Sequence, residues 1–306
     1  MPILRLDAAP DAVTVHGATA PVARVLRSAA RGTGPVIVLV HGFKYDPICV
    51  ECDPHQKIFS LNAATGWLRP LGFGAGEPDE GLAIAFGWRA RGNIWRAHYA
   101  AGQAGRHLAR VITDLRRLAP TRPVHAITHS LGSEVVFEAL HHLGAGDLRR
   151  IVALAGASYA SRAVAAMQTA AGRAADLINV TSRENDLFDA MFERLLAPAV
   201  PGDRALGDGI ALPNVVNMQL DCRDTLATLP RFGGVIAPPG RRICHWSSYT
   251  RAGALAFYAH ALRHPAAMPL DALRAALPAQ TAPRWSRMLA RRAAAAPLPM
   301  AEKTAS

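Results

Sequence analysis

The residues Thr128-His129-Ser130-Leu131-Gly132 lie between an apolar run, VHAITH (124–129), and a run of helical spacing that extends to about 143. A serine on a sharp strand-to-helix turn is held in a strained backbone state with its hydroxyl projecting, and it needs small neighbours. Gly132 is one such neighbour, whereas Thr128 stands where the G-x-S-x-G pattern has its first glycine. A serine that merely caps a helix is the plainer alternative. The hydroxyl becomes a nucleophile when an imidazole accepts its proton and an acid orients that imidazole. Downstream, Asp186 follows DLINVTS (176–182) and His245 follows NVVNMQL (214–220). Asp186 could also cap a helix starting near Leu187, and Asp189 and Glu184 are alternative acids. Of the twelve histidines, His245 alone follows the last strand and precedes the last helix; His41 and His129 occupy scaffold positions. The backbone N–H groups of Phe43 and Leu131 are the expected donors to a developing oxyanion.

These residues need a frame that gathers strand ends. VIVLV (36–40), LAIAFGW (82–88), 124–130, 149–157, 176–182 and 214–220 read as buried strands. Residues 96–118, 131–143, 161–172, 187–196 and 250–263 read as helices, and 2–7 and 12–16 as two short strands joined at Pro10-Asp11. Strand–helix alternation implies a mostly parallel central sheet with helices on both faces, the site lying beyond the strands' carboxyl ends. Three long connections, 44–80, 197–213 and 222–244, should gather at that edge. Residues 1–265 are expected as the domain, with 44–80 as an insertion covering the site whose removal would change substrate choice more than folding. Asp53-Pro54-His55 within it could reach substrate. Residues 266–306 are expected as a Pro/Ala-rich, partly disordered extension with two weak helical stretches. Tyr45, Ile48, Trp88, Tyr159, Leu187, Phe188 and Trp246 are candidates to line an apolar pocket, though each could equally be packing.

The formal net charge is +11, with arginines scattered and locally dense at 288–292. No basic helix with interleaved aromatics appears, so a solvated basic surface is the reading and no nucleic acid is expected. No apolar run reaches the length of a membrane span and no signal-peptide pattern opens the sequence, so a cytoplasmic address is expected. That address favours free thiols. Cys49 and Cys52 form a C-x-x-C that could be redox-active or, with His55, part of a zinc site, but no second pair completes a known spacing and no metal or other cofactor is expected. A Cys222–Cys244 disulfide closing the loop between them is a lesser possibility.

The stretches VLVHGF (38–43), IAFGWRARGNIW (84–95) and VHAITHSLGSEVVFEAL (124–140) resemble the α/β-hydrolase superfamily, in particular a bacterial group of α/β-hydrolases of unknown function; the resemblance covers about 36–262. It implies the α/β-hydrolase fold, a triad in the order Ser130, Asp186, His245, and a serine hydrolase that opens a carboxylic ester or related acyl bond of a small molecule through an acyl-enzyme. An acyltransferase using the same residues and an inactive binding module are the alternatives, because this fold also serves without catalysis.

Overall fold

β-branched runs apolar on both faces can satisfy burial only in the interior of a sheet covered on each side. In the computed structural model, which describes residues 3–77 and 79–289, they do so. The strands are β1 (Ile3–Ala8), β2 (Val13–Val15), β3 (Val36–Val40), β4 (Leu82–Trp88), β5 (Val124–His129), β6 (Arg150–Leu154), β7 (Asp176–Thr181) and β8 (Val215–Gln219). They form one sheet in the order β2-β1-β4-β3-β5-β6-β7-β8, parallel throughout except for the β1–β2 hairpin. The chain leaves β3 toward β4 on one side and returns across it to β5 on the other. The carboxyl ends of β3 and β5 therefore flank the switch point where α/β sheets place their sites.

The helices are α1 (Val22–Ala30), α2 (Ile94–Leu118), α3 (Gly132–Leu140), α4 (Ala160–Met167), α5 (Ala170–Arg173), α6 (Asp186–Leu195), α7 (Arg223–Thr228), α8 (Ser247–Thr250), α9 (Ala254–Arg263), α10 (Leu270–Ala276) and α11 (Ser286–Leu289). Alternate residues of β3 feed opposite cores. Val36, Val38 and Val40 join the layer with α2 and α3, while Ile37 and Leu39 join the layer with α9 and α10. Three helices were not anticipated, α1, α7 and the short α8. Val22, Val25, Leu26 and Ala29 of α1 do recur at helical spacing, with Leu26 and Ala29 buried.

Two expectations need correction. The 44–80 connection is not a dispensable cover: Ile58, Phe59, Trp67, Leu68, Leu71 and Phe73 are buried in the second core, filling the face of the sheet that a crossover helix would otherwise cover. Its removal would strip that core. Packing also continues past 265. Met268, Leu270 and Leu273 are buried against the same layer, and Arg284 reaches Glu193 at 2.9 Å. The rest of the extension expected over 266–306, from residue 290 on and including most of the basic cluster at 288–292, lies outside the described residues. No described helix is long and apolar enough to cross a membrane.

Leu273→Ala should therefore cost about 3 kcal/mol, the usual penalty for a buried leucine, read as a lower urea midpoint with unchanged m. An unshifted midpoint would mean that α10 does not belong to the core.

Candidate active site

Ser130 has φ +53°, in the left-handed region. The strain is held from all sides: its N–H donates to Leu154 O at 3.0 Å, and its carbonyl accepts from Ser133 and Ala157 at 3.0 Å each. Two glycines permit the turn. A Cβ on Gly42 would lie 2.7 Å from the Ser130 Cβ, and one on Gly132 would lie 2.5 Å from His41 O and 2.6 Å from Thr128 Oγ1. Thr128 fits where glycine is usual because its hydroxyl packs into the space that Gly132 leaves open.

His245 sits on the loop between α7 and α8. Its Nε2 is 2.8 Å from Ser130 Oγ. The loop is pinned by Cys244 N–H donating to Glu184 O at 2.9 Å and by a 3.1 Å bond between His129 Nε2 and His245 O. Phe188 stacks on the His245 ring with centroids 4.6 Å apart. Burial, and secondarily the nearby His129, hold the His245 imidazole well below its usual pKa, in the neutral form a base requires.

The expected acid is elsewhere. Asp186 opens α6, is fully buried, and accepts from the Trp285 N–H at 2.6 Å with Arg183 Nη1 at 3.3 Å; it has no bond to His245. The reason is helical geometry, because the residue turned toward the histidine is Asn185, last of the 3₁₀ turn Arg183–Asn185. Asn185 Oδ1 lies 2.6 Å from His245 Nδ1, and Asn185 Nδ2 donates to Asp189 Oδ1 at 2.9 Å. The carboxylate fixes the amide's orientation, so His245 Nδ1 carries the proton and Nε2 is left to accept from the serine. Asp189, the alternative acid, is thus reached through an amide rather than directly. Burial raises Asp189 to about 7 despite Arg284 and Arg183. It needs Gly207 beside it, where a Cβ would fall 2.1 Å from Asp189 Oδ2. Glu184, the other alternative, is buried and spent on Arg251 at 2.5 Å.

The N–H groups of Leu131 and Phe43 have no backbone acceptor among the described residues, and Lys44, at φ +78°, turns the chain just after Phe43. His41 works as scaffold. Its Nε2 accepts from the Trp88 N–H at 3.0 Å, its carbonyl accepts from the Trp88 indole at 2.9 Å, and burial lowers its pKa to about 3. Trp88 is accordingly a buried support. Tyr159 is another, its hydroxyl bonded to Leu196 O. Phe188, Trp246, Leu187 and Ile48 remain at the surface, with Phe188 and Trp246 nearest the histidine. Tyr45 lies against His41, with centroids 5.4 Å apart. A cleft of about 850 Å³ between 57–70 and 240–256 takes Tyr45 and Trp246 in its walls but neither Ser130 nor His245. His55 faces Asp7 at 2.8 Å. Cys49 and Cys52 are disulfide-bonded, against the expectation of free thiols, while Cys222 and Cys244 are unpaired.

Burial lowers five histidines: His41 to about 3, His125 and His129 to about 4, and also His55 and His245. Below the ordinary value of about 6.5 the unfolded chain binds more protons at these rings, so stability is lost as pH falls from about 6.5 toward 4. Asp189 and Asp186, both raised by burial, work in the opposite sense and offset part of this. Urea unfolding should show a clear loss, at least about 1 kcal/mol per pH unit between 6.5 and 5. A flat profile would contradict the neutral assignment.

No curated protein matches the sequence. Among solved structures, the chain is similar to one titled esterase PE8, with a TM-score of 0.35, 16% identity, and coverage of 67% of this chain and 93% of that one. It is also similar to an acylaminoacyl peptidase of Pyrococcus horikoshii, with a TM-score of 0.26, 14% identity, and coverage of 49% and 28%. At these scores neither bears on activity. Residues 18–156, which carry β3, the Ser130 turn and α3, match the family model described as "Alpha/beta hydrolase of unknown function (DUF900)", and the chain has the α/β-hydrolase fold.

Proposed function

We propose that the protein is a serine hydrolase that opens a carboxylic ester or related acyl bond through an acyl-enzyme on Ser130. The supporting observation is the 2.8 Å contact between Ser130 Oγ and His245 Nε2, made by a serine held at φ +53°. In this reading Ser130 Oγ attacks the acyl carbon as its proton passes to His245 Nε2. The carbonyl oxygen gains charge facing the N–H groups of Phe43 and Leu131. The imidazolium then protonates the leaving alcohol as the carbon–oxygen bond breaks. Water, deprotonated by the same ring, releases the acid. Asn185 keeps the productive tautomer, as an orienting partner without charge. The exposed Trp246, whose ring lies beside His245, favours an apolar acyl group.

A fluorophosphonate probe tests this directly. It should label Ser130, found by peptide mass spectrometry, and labelling should fall about a hundredfold or more in His245→Ala. No adduct, together with no turnover of short nitrophenyl esters, would favour the inactive binding module.

The neutral partner gives a second expectation. The rate falls as His245 is protonated, and its lowered pKa places this acid limb below pH 6.5. Asn185→Asp puts an anion beside the ring, favours the imidazolium and should move the limb to higher pH. A limb that stays put would remove Asn185 from the orienting role.

A further inference from the structure

Away from the serine, at the carboxyl ends of β1 and β4, four side chains from three chain segments converge. Asp7 is on β1, His16 follows β2, and Asp53 and His55 belong to the 44–80 insertion. Asp7 Oδ1 lies 2.8 Å from His55 Nε2 and Asp7 Oδ2 lies 2.8 Å from His16 Nδ1. The ligand atoms of these three residues all fall within 4.8 Å of one another, and the two imidazole rings are 4.1 Å apart. Asp53 is buried. Its Oδ2 stands 3.4 Å from the far nitrogen of His16, Nε2, and its Oδ1 accepts the His55 N–H at 2.9 Å.

Three features distinguish this cluster from a surface ion pair. First, the donor set is rich in metal ligands: two carboxylates face two imidazoles, and among the described residues neither carboxylate has a lysine or arginine partner within salt-bridge distance. Second, the arrangement has two layers. His16 turns one nitrogen into the cluster and the other onto a buried carboxylate, the pattern by which a ligating imidazole is oriented from behind. Third, the backbone makes way. Gly87 is paired in register with Asp7, and a Cβ there would lie 2.8 Å from both Asp7 Oδ1 and His55 Nε2.

We propose that Asp7, His16 and His55 bind one divalent first-row transition-metal ion, with Asp53 positioning His16. Two imidazoles and a carboxylate suit zinc and its neighbours, while calcium and magnesium require more oxygen ligands. Bonds of about 2.0–2.1 Å to such an ion set ligand atoms about 3.3 Å apart in a tetrahedron, so side-chain shifts of a few tenths of an ångström open the 2.8 Å contacts. Solvent completes the coordination from the half-exposed His16 side. The ion would clamp the start of the insertion to the edge of the sheet. The His55 ring meets Phe59, and Phe59 meets His41, which sets the β3 end of the serine site. The site stands independently of any reaction at Ser130.

The test is zinc titration of the full chain, stripped with chelator and kept oxidised so that Cys49–Cys52 stays paired, by calorimetry and elemental analysis. One equivalent should bind with micromolar or tighter affinity and raise Tm. His16→Gln, at a half-exposed ring, should weaken binding about a hundredfold, and Asp53→Asn about tenfold. The Cys49→Ser/Cys52→Ser double variant should bind unchanged, and bound cobalt(II) should show no thiolate charge-transfer band. Absence of saturable binding, binding unaffected by His16→Gln in a folded variant, or loss of binding in the cysteine double variant would each overturn the proposal.

Discussion

The left-handed backbone at Ser130 is the constraint around which the centre of the molecule is built. A non-glycine residue in that region costs on the order of 1–3 kcal/mol and persists only where its surroundings over-determine it. Here β3, β5 and β6 do so together: β6 supplies the acceptor Leu154 O, the loop after β3 supplies Gly42, close enough to admit the serine, and α3 starts on Gly132, against the carbonyls of Val40 and His41. These strands are buried on both faces, and that burial holds the turn. Few side chains fit such a turn, which is why Gly42 and Gly132 matter more to the site than most residues that border it.

Around the serine the electrostatics are mostly neutral. The nearest rings, His41, His129 and His245, are held uncharged by burial, and the residue that orients His245 is an amide. The carboxylates are set one layer back. Asp189 touches the amide, Glu184 is paired with Arg251, and Asp186 is bonded to the backbone of Trp285. An anion directly beside His245 would favour the imidazolium more strongly, and this arrangement gives up some of that stabilisation for a ring that stays unprotonated.

Strand ends were the most legible part of the sequence, because runs such as VIVLV and LAIAFGW admit one interpretation and a parallel sheet brings their carboxyl ends together. Ser130 was singled out by its local motif, and His245 by chain order on that frame. Asn185 did not, because Arg183-Glu184-Asn185-Asp186 are all polar and a 3₁₀ turn rotates each about 120° from the last. Which one faces the histidine depends on packing. One signal was present: Asn185 and Asp189 are four apart, hence neighbours on a helix face. The core role of 44–80 was hidden for a different reason. Its apolar residues, Ile58, Phe59, Trp67, Leu68, Leu71 and Phe73, are spaced by turns and follow neither strand nor helix periodicity. The Asp7–His16–His55 cluster joins positions that no local pattern connects.

The contacts of Arg284 bear on the order in which the molecule can be assembled. Asp186, Asp189, Glu193 and Asp208 gather around α6, and Arg284, from far along the sequence, pairs with Glu193 and Asp208, while the adjacent Trp285 donates its N–H to Asp186. A chain made from its N-terminus forms β7 and α6 before that arginine exists, and the distant contact carries the loop-closure cost that slows non-local pairing. Until then Arg183 and Arg204 are left to offset the acidic group. The turn that presents Asn185 to His245 thus adjoins an acidic group whose charge balance is reached only with Arg284 in place.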